Sequence, residues 1–281
     1  MNVMKKHQPS LLPEGKKWKL VWSDEFDGPE LDTGKWSCRL HMMQRRHYAW
    51  SDQDYSFDGK SSLRLELKKH GLQFTSTQLQ TGENYLDRPP EDQMKIFSWK
   101  IADFSQPKFL KKYGYFECRC KLPTQPGWWA AFWLQSPQIG CCPDPARAGI
   151  EIDIMENFTR DGEYSHNIYW NGYGKAVKSG HSGPRHLESD IFGWHVYGVD
   201  WNSDGYIFYV DGKETWRFNE AVSHTEQFIM LSTECKDYRY NGMPAPELQN
   251  AKLPDAFIVD YVRVYDEVNP KIEKRHGRTV L

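Results

Sequence analysis

Gly149-Ile150-Glu151-Ile152-Asp153-Ile154-Met155-Glu156-Asn157 decides how the rest of this chain is read. Apolar and acidic residues alternate with a period of two, the pattern of a strand that keeps one face in a core. Side chains alternate across a strand, so Ile150, Ile152 and Ile154 are expected in the core and Glu151 and Asp153 on the opposite face. Glu156 breaks the alternation, because five residues after Glu151 a regular strand would turn it inward. A β-bulge at Ile154 and Met155 adds one residue and returns Glu156 to the acidic face, and bulges are over-represented beside active sites. All three acids then share one face, which must be an open cleft, since paired carboxylates are costly in apolar surroundings.

Two carboxyl groups about 5–5.5 Å apart across a scissile bond are what glycoside hydrolysis with retention requires, one as nucleophile and one as general acid/base. The ordinary alternative is a solvated strand face that is rich in acids. The stretch resembles the signature of glycoside hydrolase family 16, in the bulged form of its laminarinase-like and agarase-like members. That resemblance implies Glu151 as nucleophile, Asp153 as the assisting acid and Glu156 as acid/base. It also implies an all-β fold, a β-sandwich of two antiparallel sheets (a concanavalin A-like jelly roll) with an open cleft on its concave face. Ionised Glu151 and Asp153 are then expected to raise the pKa of Glu156 and keep it protonated near neutral pH.

Further motifs occur in the family's order. Lys17-Trp18-Lys19-Leu20-Val21-Trp22-Ser23-Asp24-Glu25-Phe26-Asp27-Gly28 resembles its opening strand, and Tyr113 to Pro123 a framework strand. Gly127-Trp128-Trp129-Ala130-Ala131-Phe132-Trp133-Leu134 is similar to its central tryptophan motif, with Ala130 where proline is usual. By position Trp129 and Trp133 flank the sugar-binding cleft, core packing being the competing role for Trp133. Trp128 and Trp170 are further substrate-binding candidates. His166, in Ser165-His166-Asn167-Ile168-Tyr169-Trp170-Asn171, matches a strand that carries a cleft histidine in relatives, although a lone histidine is as readily structural. Glu234, closing Phe228 to Glu234, resembles an acid that some agarase-like members set against substrate. Glu25 and Asp260 match positions that contribute to a structural calcium site in many relatives, and oxygen ligands suit calcium. A hydrogen-bonded clasp between the chain ends is the competing reading; no cofactor is implied for catalysis.

Arg45, Arg46 and Arg185 lie in two basic loops, where guanidinium groups could pair with sulfate or carboxylate on an acidic polysaccharide. Arg46 is taken as the binding candidate; a solvated loop is the plainer account. The resemblance thus implies an endo-acting β-glycan hydrolase on a polysaccharide or oligosaccharide, by default a β-1,3- or mixed β-1,3/1,4-glucan. A galactan of the agar, porphyran or carrageenan type is the alternative that the basic loops favour. A transglycosylase would use the same triad, whereas a lectin-like binding module would not need Glu156.

Composition agrees with sugar binding. Aromatic residues make up 15% of the 281, including 12 Trp and 15 Tyr, whose flat faces can stack on sugar rings while a polar atom hydrogen-bonds. Lys and Arg number 36 against 38 Asp and Glu, giving no general attraction to nucleic acid or membrane. No apolar run approaches the ~20 residues of a membrane-spanning helix. Residues 1–16 read as an N-terminal extension without a signal-peptide core, 17–267 as a single domain, and 268–281 as a tail. The six cysteines show no C-x-x-C pattern and are expected to be free thiols, which leans toward a reducing compartment, whereas a polysaccharide substrate leans toward secretion. A monomer is expected.

Overall fold

The computed structural model describes residues 7–38, 49–84, 106–158, 162–235 and 244–268. Among them the strands, numbered in chain order, form two antiparallel sheets. The first runs β15 (Lys213–Phe218), β14 (Gly205–Val210), β13 (Trp194–Asn202), β7 (Gly114–Lys121), β17 (Asp255–Glu267), β4 (Leu63–His70) and β3 (Tyr55–Phe57), with β1 (Trp18–Asp24) also on β17 and β5 (Gln73–Thr75) on β4. The second runs β11 (Lys178–His181), β10 (Glu163–Trp170), β9 (Glu151–Asn157), β8 (Trp128–Gln135), β16 (Phe228–Cys235), β6 (Gln78–Gln80) and β2 (Ser37–Cys38), with β12 (Arg185–His186) on β10. This is the β-sandwich that the resemblance implies.

The alternating residues make the core between the sheets. Phe116, Cys118, Cys120 and Leu122 from one sheet meet Ile150, Ile152, Ile229 and Leu231 from the other, all almost fully buried. Each such large apolar side chain contributes about 1.5–3 kcal/mol through burial. Tight turns keep neighbouring strands in register. Asp211 and Gly212 join β14 to β15 with φ of 51° and 76°, the left-handed pair that suits the twist of a hairpin.

Ahead of β1, residues 8–11 are hydrogen-bonded to the first sheet. Leu11 N–H donates to Glu117 Oε2 at 2.9 Å, and Arg263 donates to the carbonyl of Gln8 and the hydroxyl of Ser10. The chain from residue 7 therefore straps the outer face of β7 and β17. Cys38, Cys118, Cys120, Cys141, Cys142 and Cys235 are free thiols.

Two elements carry no sequence signal. Between β4 and β7 the chain forms β5 and β6, and β6 extends the second sheet through Gln78 and Gln80, whose polar side chains give no apolar alternation. The approach to β9 holds a short helix, α1 (Pro145–Ala148), capped by Asp144, whose side chain accepts from Ala146 N–H at 2.9 Å. Gly149 follows at φ 71°, with an added Cβ 2.3 Å from Ser136 Cβ, so the turn into β9 accepts no larger residue.

Candidate active site

Strand β9 sits in the middle of the second sheet, between β8 and β10, and its register breaks where the sequence requires it. Trp133 pairs with Asp153 but Phe132 with Met155; Asn167 pairs with Asp153 but Ser165 with Glu156. Ile154 has no Cα partner in either pairing, so it is the inserted residue of a bulge. Ile154 and Met155 both enter the core, and Glu156 returns to the face of Glu151 and Asp153. The acids' cross-strand partners fix the rest of that face: Ala131, Trp133 and Gln135 on β8, and Ser165, Asn167 and Tyr169 on β10.

Each glutamate is held by a different partner. Asn167 Nδ2 donates to Glu156 Oε2 at 2.5 Å, and His181 Nδ1 donates to Asn167 Oδ1 at 2.9 Å, which fixes the amide with its nitrogen toward the carboxylate. The hydroxyl of Tyr173 donates to Glu151 Oε2 and accepts from Gln135 Nε2. Asp153 is the most enclosed acid, 2% exposed, and its Oδ2 has no hydrogen-bond partner. Burial first, then the charges of Glu156 and Glu151, push its carboxyl far above the usual range, and it hydrogen-bonds Glu156. Burial therefore favours the protonated form of Asp153, which the sequence reading had ionised. Depth decides this, because the middle acid of the strand lies farthest from water.

The aromatic candidates divide by strand face. Trp129 and Trp133 are half-buried on the cleft side; Trp133 Nε1 donates to Ser232 Oγ at 3.1 Å, and Trp129 packs on Phe158 with centroids 4.9 Å apart. Glu234 is the cross-strand partner of Trp129 and shares its face. Trp128, one residue away, is on the opposite face, 3% exposed among Phe74, Cys235 and Leu248, so it is a core residue and not a substrate-binding one. Trp170 packs against Phe218 at 5.8 Å and joins the core side as well. His166 follows the same parity: it is fully buried, donating from Nδ1 to the carbonyl of Ile154 at 2.6 Å, and cannot touch a sugar in the cleft. Burial lowers its pKa to about 3.

Arg185 is the cross-strand partner of the core residue Tyr164, which turns it away from the cleft. Arg45 and Arg46 lie outside the described residues. Glu25 and Asp260 do not fit a calcium site. Arg263 binds both oxygens of Glu25 at 2.9 and 2.7 Å, while Arg119 and His7 take the two oxygens of Asp260 at 2.6 and 2.7 Å. These charges are already matched, and the clasp between chain ends is what the acids build. Among the described residues no cluster of three or more His, Cys, Asp or Glu is set to hold a metal.

Sequence reading missed Tyr173, Asn167, His181 and Gln135. Asn167 and Gln135 had a signal, the parity that sets them opposite the acids across β10 and β8. Tyr173 and His181 reach the acids through the fold of the loop after β10, which periodicity does not report.

The sequence matches the family model for the GH16 domain of β-porphyranases A–D over residues 18–267. It is 28% identical over 277 residues to glucan endo-1,3-β-glucosidase A1 of Niallia circulans, covering 88% of this chain but 38% of that protein. It is 24% identical to a β-glucanase of Rhodothermus marinus, covering 88% of this chain and 85% of that one. The laminarinase catalytic domain of Thermotoga maritima MSB8 superposes with a TM-score of 0.66 at 24% identity, over 90% of this chain and all of that domain.

Proposed function

The chain belongs to glycoside hydrolase family 16, and we propose that it is an endo-acting, retaining β-glycan hydrolase in which Glu151 is the nucleophile and Glu156 the acid/base. The observation that carries this is the bulged register of β9, which sets three acids on one face beside the two half-buried tryptophans of β8.

Glu151, steadied by the Tyr173 hydroxyl, attacks the anomeric carbon. Glu156 delivers a proton to the departing glycosidic oxygen, and water later resolves the glycosyl-enzyme with Glu156 as base. Asp153 explains how the proton is available. Before attack the three acids carry one proton and two negative charges. Forming the ester consumes the charge on Glu151, so the Asp153–Glu156 pair can release its proton while the total stays at two. Asn167, donating to Glu156 Oε2, orients the carboxyl group in the cleft. Trp129 and Trp133 offer flat faces to the sugar rings on the β8 side.

The substrate reading is a β-1,3- or mixed β-1,3/1,4-glucan, supported by the names of the glucanase and laminarinase relatives. A porphyran-type galactan is the second reading, favoured by the match to the β-porphyranase model. A reducing-sugar assay on laminarin, barley mixed-linkage glucan, agarose, porphyran and κ-carrageenan, with Glu151→Gln as control, tests both. Cleavage of laminarin or barley glucan supports the first and cleavage of porphyran alone the second. No cleavage of any, or equal cleavage by the control, refutes the assignment.

A further inference from the structure

A bulge is a register choice, and this strand has a simpler one. Without the inserted residue β9 would pair regularly, Met155 would face the cleft and Glu156 the core, since a one-residue shift exchanges the two faces. Something must favour the interrupted register. The inserted residue, Ile154, has no Cα partner on β8 or β10. Its carbonyl lies in an apolar core, where a peptide oxygen without a partner is costly.

We propose that His166 is the positioning residue that pins this bulge and so places Glu156 in the cleft. The proposal rests on the assignment of Glu156 as acid/base. His166 is fully buried, and its Nδ1 lies 2.6 Å from the carbonyl oxygen of Ile154. That oxygen can only accept, so Nδ1 carries the hydrogen, and Nε2 faces the Thr215 hydroxyl at 2.8 Å, which also has the Phe208 carbonyl within 3.1 Å. Thr215 belongs to β15 in the other sheet, so the imidazole ties the bulge across the sandwich. The ring packs against Phe208, centroids 4.7 Å apart, with Trp216 farther off at 6.4 Å and parallel to within 3°. The backbone of His166 is turned to its other neighbour: its N–H donates to Ser182 Oγ at 3.0 Å, and its carbonyl accepts from Ser182 N–H at 2.9 Å. The side chain is thus the part of His166 that reaches β9. Burial keeps the ring neutral, so the same tautomer holds the carbonyl through the ordinary pH range.

Only residues after Ile154 move when the bulge relaxes, so Glu151, Asp153 and the aromatic wall of β8 stay in place. Loss of the pin is therefore read in kcat and not in KM. His166→Asn and His166→Gln separate the two nitrogens, because the Asn amide reaches the place of Nδ1 and the Gln amide that of Nε2. On whichever polysaccharide the wild type cleaves, His166→Gln is expected to lower kcat by roughly 100-fold or more with KM within about threefold, as for loss of a placed acid/base. His166→Asn should restore kcat to within about fivefold of wild type. Phe116→Leu, a core change on β7 in the other sheet that leaves His166 and its partners untouched, supplies the comparison for lost stability alone. Crystal structures of the Gln variant, or of His166→Ala should Gln not fold, read the register directly and do not depend on activity. The proposal stands if Met155 or Glu156 changes face or the Ile154 carbonyl swings to a new donor. It is overturned if the bulge is unchanged, if Asn does not restore kcat, or if the Gln loss matches that of Phe116→Leu at equal folded fraction. An inactive wild type with a displaced bulge in the variant would refute the catalytic assignment and leave the pin intact.

Discussion

Asp153→Asn should make the protein more stable and less active, with the stability gain depending on pH. Asp153 is 2% exposed, and burial with two carboxylate neighbours raises its pKa in the fold. Below the pKa of an unfolded Asp, about 3.9, both states hold the proton and the site adds no pH dependence. Above it the unfolded chain releases the proton and the folded chain keeps it. The native state then binds more protons than the unfolded one, so stability falls as pH rises, by about 1.4 kcal/mol per unit until the folded pKa is passed. Asn has no proton to retain, and its amide can donate to Glu156 in place of the carboxyl O–H. The difference between variant and wild type should therefore widen from pH 4 upward and then level off. In a chain of this size that is roughly 2–3 °C of Tm per pH unit, measurable by scanning calorimetry at pH 4, 5, 6 and 7. The variant cannot release the shared proton, so kcat should fall, by roughly 10- to 100-fold. A Tm difference that is flat with pH, or a variant less stable at pH 7 than at pH 4 relative to wild type, would refute the placement of the proton on Asp153.

Other perturbations test separate parts of the account. Glu151→Gln and Glu156→Gln should each reduce turnover by about 1,000-fold or more, and azide should restore a Glu156→Ala variant acting on an activated aryl glycoside. Tyr173→Phe removes the donor to Glu151 and is expected to lower kcat/KM by roughly 10-fold, with an unchanged Tm in the same preparation. Arg263→Met leaves Glu25 buried without its bidentate partner and should cost about 3–5 kcal/mol in denaturant unfolding. EDTA should move the Tm by less than about 1 °C, because the acids proposed for calcium already hold arginines; a clear drop would show a stabilising ion.

The sandwich was legible through the resemblance of its motifs, and the catalytic strand because it rests on a period-two pattern that burial enforces. The bulge was legible for the same reason: Ile154 and Met155 are both apolar, and two adjacent apolar residues between two acids admit few other arrangements. Parity also held what went wrong. Trp128, His166 and Trp170 are each an odd number of residues from a cleft residue, so the alternation that places Trp129, Asn167 and Tyr169 on the cleft side assigns these three to the core. The clasp at Glu25 and Asp260 was hidden for another reason. Glu25 and Asp260 do meet in space, but whether two acids bind a cation or an arginine depends on Arg263 and Arg119, whose contacts cross more than 100 residues of chain. Strand β6 and the contacts of Tyr173 were hidden because glutamine-rich strands and loop geometry leave no periodic trace.

The anomeric form of the first product tests the central claim most directly. Wild-type enzyme and a cleaved polysaccharide are followed by proton NMR from the first seconds, before the new reducing ends mutarotate. Double displacement through Glu151 gives the β-anomer first, with the α-anomer growing later. If the α-anomer appears first, water attacks directly, and Glu151 is not the nucleophile.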